Sequence, residues 1–225
     1  MDEQPGIVDG HGPDATHPPG PELRRLADAM RVVTDQTVRT AAPPDVLAEA
    51  AATVEQAAAI LDPHTAPWAP SVPAKPSATL DPHVYFPFSP MVGWYSPLAP
   101  PITTVLDDGG IIGTGTLGAA YEGPPGCVHG GVIAGIFDEM LGIANITAGA
   151  GAMTGTLTIV YRSPTPLYTE LRFEAETKSR DGRKIHTRGT LHVGDRLCAE
   201  ADGIFILVDR DRFAGHTLGH GGEPQ

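Results

Sequence analysis

The 225-residue chain reads as an α+β protein in which an antiparallel sheet wraps around one long buried helix. Three observations carry that expectation. From Gly130 to Thr147 the sequence GGVIAGIFDEMLGIANIT is apolar on every face and holds two charges, the pattern of a helix covered on all sides. Strand signals precede it from Ile102 to Leu117. Four more strand segments follow it, and short turns such as Asp181-Gly182 favour antiparallel pairing.

The remaining elements follow in chain order. Residues 1–20 hold Gly, Pro, Asp and His with almost no apolar side chains and are expected to be a disordered tail. Leu23, Leu26, Met30 and Val33, then Leu47, Ala50, Val54, Ala57 and Leu61, recur at helical spacing on either side of Pro43-Pro44. They predict a helical hairpin over 21–62, with Asp45 as the cap of its second helix, packed on the body of the protein or on a subunit. Residues 63–101 contain 11 of the 23 prolines and read as an extended arm. Its aromatic residues His83-Val84-Tyr85-Phe86-Pro87-Phe88 and Trp94-Tyr95 would line an apolar groove or cover the core. The sheet-and-helix domain spans 102–208.

Within that domain, Thr154, Thr156, Thr158 and Val160 alternate with Gly155, Leu157, Ile159 and Tyr161, which predicts two opposite faces for one strand. Leu171, Phe173, Ala175 and Thr177 form the inward face of the next. Ile185, Thr187, Gly189 and Leu191 do the same after the Asp181-Gly182 turn, and a last strand runs from Cys198 to Val208. Residues 209–225 are Gly-rich and expected to be disordered; His216 and His220 within them make a poor metal site.

Composition excludes several function classes. A net charge of −12 and a pI near 5.0 argue against nucleic acid or an anionic membrane as partner. The apolar helix is too short and too charged for a membrane span. Cys127 and Cys198 do not make a disulfide framework, and no basic-then-apolar leader begins the chain, so a cytoplasmic protein is expected.

The segments YEGPPGCVHGGVIAGIFDEMLG, MTGTLTIVYRSPTPL and SRDGRK, with an Ala-Glu-Ala strand ending in Phe205-Ile206, resemble the hotdog-fold acyl-CoA thioesterases. The likeness extends to the vertebrate mitochondrial members that carry an EGPPG-x-VHGG turn, and covers about Pro82 to Val208. The resemblance implies hydrolysis of acyl-CoA without metal or organic cofactor, in a homodimer or a dimer of dimers. It places the oxyanion donors of the helix start on His129 and Gly130, the catalytic carboxylate on Asp138 and its polar partner on Thr154. Substrate contacts fall on Gly131, Val160 and the basic Arg162, and the CoA portion on Arg183, Lys184, Ile185, His186, Thr187 and Arg188. Where other branches place Asn or Gln before the His, this chain has Gly123-Pro124-Pro125, so the donors must come from the backbone.

The residues themselves support that chemistry. Thioester hydrolysis needs a donor for the carbonyl oxygen and a base or nucleophile at the carbonyl carbon; free N–H groups at a helix start supply the first. Asp138 in an apolar helix supplies the second, as general base or as nucleophile. Gly130 and Asp138 lie about 12 Å apart along a helix, too far to meet on one carbonyl, which predicts a site shared between subunits. Seven of the 15 basic residues fall between Arg162 and Arg188, a local excess suited to phosphate. The rival readings are a structural Gly turn at HGG, a structurally paired Asp138, reactive Glu139, a non-catalytic acyl-CoA-binding protein, and a hydratase on the same scaffold.

Overall fold

A computed structural model describes residues 20–65, 86–107 and 110–208. The expectations for both tails, for His216 and His220, and for His83 to Tyr85 lie outside those residues. Two N-terminal helices, α1 (Pro21–Arg39) and α2 (Pro44–Leu61), precede strands β1 (Ile102–Asp107) and β2 (Gly110–Thr116). The central helix α3 (Gly130–Thr147) follows, then β3 (Ala152–Tyr161), β4 (Glu170–Asp181), β5 (Lys184–Val193) and β6 (Arg196–Leu207). The six strands form one antiparallel sheet in the order β1-β2-β4-β5-β6-β3.

Helix α3 lies on one face of this sheet. Ile133, Ile136, Phe137, Met140, Leu141 and Ile143 are fully buried against Ile111, Leu171, Phe173, Ile185, Leu191 and Phe205 of the strands. Phe137 meets Phe173 edge to face at 5.3 Å between ring centroids, a geometry that adds about 1 kcal/mol to the area buried. The helix approaches β5 closely because Gly189 has no side chain: a Cβ there would stand 3.0 Å from the Phe137 ring. The β4–β5 turn is made by Gly182 and Arg183, with Gly182 at φ +56°, a conformation glycine takes without cost. The expected inward faces of β4 and β5 are the buried ones.

The N-terminal segment differs from the expectation in its cap. Pro43 stands at the start of α2 and no side chain caps it; Asp45 falls inside the first turn, where its charge meets the helix dipole instead. The two helices are covered unequally in the single chain. Helix α1 docks through Arg31, whose guanidinium donates to the carbonyls of Ala99 (2.9 Å), Gly93 (3.1 Å), Trp94 (3.2 Å) and Ser96 (2.7 Å) and pairs with Asp28. Arg24 lies 3.8 Å over the Trp94 ring. Helix α2 buries none of its residues in this chain, and Val46, Leu47, Val54, Ile60 and Leu61 face solvent.

The described part of the arm covers the core. Val92 is buried, Phe86 and Met91 pack against the core cluster, and Phe88 pairs with Tyr95 at 6.1 Å. Met91 rests on Gly135 of α3, where a Cβ would come within contact distance of its sulfur.

Strand β3 departs from simple alternation. Its register with β6 slips between Thr154 and Thr156, leaving Gly155 as an extra residue. One inserted residue inverts the pleat, so Thr154 turns to the same side as Leu157, Ile159 and Tyr161 instead of the side of Thr156 and Thr158. Leu157 and Ile159 pack on the core, while Thr154 and Tyr161 both reach α3.

Candidate active site

The turn that leads into α3 is closed by its own backbone. Gly123 N–H donates to Cys127 O (2.9 Å), Cys127 N–H to Pro124 O (2.8 Å), and Gly126 N–H to the Glu122 carboxylate (2.7 Å). His129 N–H then donates to Tyr121 O at 2.9 Å. His129 is the N-cap: its Nδ1 accepts from Gly131 N–H at 2.9 Å. The expectation of two backbone donors at His129 and Gly130 is therefore corrected. His129 N–H is consumed by Tyr121, Gly131 N–H by the imidazole, and Gly130 N–H alone is left without an acceptor among the described residues. Gly123-Pro124-Pro125 brings no side-chain amide to replace the lost donor.

Two turns further along α3, Asp138 Oδ1 accepts a hydrogen bond from Thr154 Oγ1 at 2.7 Å. The Gly155 bulge makes this contact possible, because it turns Thr154 toward the helix. Glu139, the other acid of the pair, faces the arm. Burial pushes its carboxyl above the usual carboxylate range, the Ser89 hydroxyl opposes that shift, and the charge of Asp138 adds to it. The two neighbouring carboxylates thus sit in different surroundings: Asp138 beside a hydroxyl donor at the edge strand, Glu139 under residues 89–92.

The basic hairpin divides into two groups. Arg162 and Arg188 both bind Glu200, at 2.7 and 2.6 Å, and these hydrogen bonds, that of Arg162 foremost, hold the Glu200 carboxyl below its usual range. Arg172 pairs with Glu174 and Lys178 with Glu176. Among the described residues no acid pairs with Arg180, Arg183 or Lys184, which cluster at the β4–β5 turn; Arg180 and Arg183 donate to the Gly182 and Leu207 carbonyls. Ile185 and Thr187 point into the core, 1% and 2% exposed, so a ligand could meet them only through their backbone. His186 and Arg188 lie on the other face, and Val160 is partly exposed near the end of β3. Among the described residues no group of three or more His, Cys, Asp or Glu is arranged to hold a metal ion.

Residues 125–200 match the family model described as "Thioesterase superfamily". The crystal structure of a protein described as a thioesterase superfamily protein superposes with a TM-score of 0.74 at 35% identity, over 84% of this chain and 97% of that one. The chain belongs to the thioesterase superfamily. Its hotdog arrangement of sheet and central helix is that of the superfamily, and a match of such extent reaches beyond the sheet-and-helix unit into the N-terminal part. Acyl-coenzyme A thioesterase THEM4 of Mus musculus is 36% identical over 97 residues, 42% of either chain, and that of Xenopus laevis 35% identical over 93 residues. The chain thus spans 42% of the length of these curated relatives.

Sequence reasoning about this superfamily member missed Tyr161 as a site residue. Its hydroxyl donates to Gly130 O at 2.7 Å, and burial raises its pKa. The only signal in the sequence was Gly155 inside a strand, a common mark of a bulge, which would have placed Tyr161 and Thr154 on one face. The sequence also gave no sign of the Arg31 dock or of the buried Asn145, whose Oδ1 accepts from Thr177 (2.9 Å) and Thr187 (2.7 Å).

Proposed function

We propose that this protein hydrolyses acyl-CoA thioesters to the free acid and CoA, at a site built from two copies of the chain. The observation that carries the reading is the Asp138–Thr154 pair, 2.7 Å apart on a surface otherwise built from apolar helix and edge strand. Thr154 holds one carboxylate oxygen, so the other is directed at water or at the thioester carbon. As base, Asp138 takes a proton from water, whose oxygen attacks the carbonyl carbon; the tetrahedral intermediate collapses with expulsion of the CoA thiolate, which is then protonated. As nucleophile, Asp138 attacks the carbonyl carbon and expels the CoA thiolate, which is then protonated; the mixed anhydride so formed is cleaved by water to the free acid and the Asp138 carboxylate. Gly130 N–H, at the positive end of α3, receives the carbonyl oxygen as it gains charge.

The shared site is supported by β3. Among the described residues this strand pairs with β6 alone and its other edge has no partner. It carries Thr154 beside Asp138 near one end and Tyr161 beside Gly130 at the other. Antiparallel pairing of two β3 edges about a twofold near Leu157 and Thr158 sets Thr154 of one copy opposite Tyr161 of the other. Gly130 of one chain then faces Asp138 of its partner, joining the halves that α3 holds about 12 Å apart. A dimer, alone or paired into a tetramer, is part of the proposal.

Arg183, Lys184 and Arg180 are proposed to meet the CoA phosphates, since their charges are not spent on neighbouring acids. Arg162 and Arg188 contribute to a lesser degree because Glu200 neutralises them in part. The reaction uses no metal or organic cofactor: the carboxylate and the helix start supply what hydrolysis requires, and activity is expected to persist after treatment with a chelator. The proposed setting is the cytosol, supported by Cys127 and Cys198 remaining as free thiols. No helix among the described residues is long and apolar enough to cross a membrane.

Thiol release from a panel of acyl-CoAs of increasing chain length tests the function. Asp138→Asn preserves the size of the side chain and its acceptance from Thr154, and is expected to abolish release; unchanged release in that variant overturns the mechanism. Tight binding of acyl-CoA with no release from any member would favour a binding protein instead.

A further inference from the structure

We infer that Tyr161 is a positioning residue: with His129 it clamps the Gly130–Gly131 peptide and so aims the Gly130 N–H that receives the thioester oxygen. The inference rests on the hydrolase reading above. Two observations meet on one peptide unit. The carbonyl oxygen of Gly130 accepts from the Tyr161 hydroxyl at 2.7 Å, and the N–H of Gly131, on the same peptide plane, donates to His129 Nδ1 at 2.9 Å. The unit is held at both polar ends by side chains from opposite sides, one from the edge strand and one from the helix cap.

The sequence makes such a clamp necessary. Two consecutive glycines open α3, and glycine has the widest backbone freedom of any residue. The N–H groups of a helix's first turn also lack the intrahelical acceptors that later turns have. The preceding peptide, which carries the Gly130 N–H, is tied at its carbonyl, where His129 O accepts from Val132 and Ile133 N–H at 3.0 and 3.2 Å; the clamp fixes the next peptide across the Gly130 Cα and so restrains the N–H direction from the other side. Glycine at 130 also leaves the tyrosine its place. A Cβ there would stand 3.2 Å from the Tyr161 oxygen and 3.3 Å from its ring carbon, tighter than ordinary contact. The tyrosine fills the space that a side chain at 130 would need, and its hydroxyl supplies the restraint that a side chain cannot.

The clamp also links the two ends of β3. Thr154 orients Asp138 at one end and Tyr161 orients Gly130 at the other, and the Gly155 bulge brings Thr154 to the helix side that Tyr161 already faces. In the proposed dimer, the Tyr161 of one copy stands opposite Thr154 of its partner, so the same strand edge that forms the interface sets both halves of a site. Tyr161 remains 52% exposed in the single chain, in keeping with a position at that edge.

Tyr161→Phe removes the hydroxyl and keeps the ring. On the acyl-CoA that the wild type hydrolyses fastest, kcat is expected to fall about tenfold or more, short of the hundredfold or greater cost of deleting an oxyanion donor, with KM within about twofold. The inhibition constant of a CoA methyl ketone, which presents a carbonyl oxygen, is expected to weaken, whereas that of an S-alkyl CoA thioether is unchanged. A merely structural role would move both inhibitors together. A variant with wild-type kcat, or with equal loss for ketone and thioether, overturns the inference. Hydrogen exchange of the Gly131 amide gives a readout independent of catalysis: faster exchange in Tyr161→Phe at unchanged thermal stability supports the clamp, and unchanged exchange overturns it. If the wild type hydrolyses no acyl-CoA, the functional reading fails while the exchange measurement still decides the clamp.

Discussion

Subunit complementation bears most directly on the geometry of the site. The two inactivating changes are Gly130→Pro and Asp138→Asn, made in separate chains. Proline is suited to position 130 because this is the first residue of α3, where its missing N–H breaks no helical bond. The preceding His129 sits at φ −62°, ψ 130°, the conformation a residue takes before proline. The Tyr161 oxygen need give only a few tenths of an ångström, since a Cβ at 130 lies 3.2 Å from it. The change thus deletes the first-turn donor that has no acceptor among the described residues and suits the local backbone. Each parent is expected to lose at least about a hundredfold in kcat, the usual cost of an oxyanion donor or more. In a twofold dimer each heterodimer contains one site with both lesions and one with neither. After equal mixing and subunit exchange, half the dimers are heterodimers, so thiol release is expected to recover to about one quarter of the wild-type rate. The assay is thiol release from acyl-CoA, with native mass spectrometry to count heterodimers. Heterodimers that form in that proportion but show no more activity than the parents would refute the shared site.

Three further outcomes rest on other contacts of the fold. Burial raises the Glu139 carboxyl above its ordinary value of 4.5, so the folded state holds its proton more tightly than the unfolded state does, and stability falls as pH rises through the folded value. Glu139→Gln is therefore expected to raise Tm at neutral pH, with the gain shrinking to nothing as pH drops below 4.5; a gain independent of pH would contradict the assignment. Asn145→Ala leaves the Thr177 and Thr187 hydroxyls without their shared acceptor inside the core, at about 1–3 kcal/mol for each group left unsatisfied, measured by denaturant unfolding. Arg183→Ala with Lys184→Ala is expected to raise KM for CoA esters several-fold more than for short synthetic thioesters, whereas equal effects on both substrates would remove the phosphate role.

The site was legible in the sequence to the extent that it depends on neighbours along the chain. His129-Gly130-Gly131 at the start of an apolar segment fixes a helix start whatever surrounds it, and the spacing to Asp138 fixes their separation on that helix. The pairing of Asp138 with Thr154 entered through resemblance. It could not follow from alternation, because simple alternation put Thr154 on the face opposite Tyr161. Which N–H groups remain free was likewise invisible, since His129 N–H is taken by Tyr121 O, eight residues back around a turn.

The sequence by itself determined the element types, the inward faces of β4 and β5, the burial of α3 and the acidic character of the surface. These depend on apolar periodicity and on turn residues, which act over a few positions. Only the tertiary structure decided the bulge at Gly155, the Gly130 N–H left open among the described residues, the Tyr161 contact with Gly130 and the exposure of α2 beside a docked α1. Each of these depends on how one element meets another: whether β3 slips against β6 by one residue, whether an imidazole reaches an amide, whether Arg31 finds four carbonyls of the arm. Local propensity carries little information about such meetings, because a shift of one residue costs nothing along the chain and reverses every contact across it.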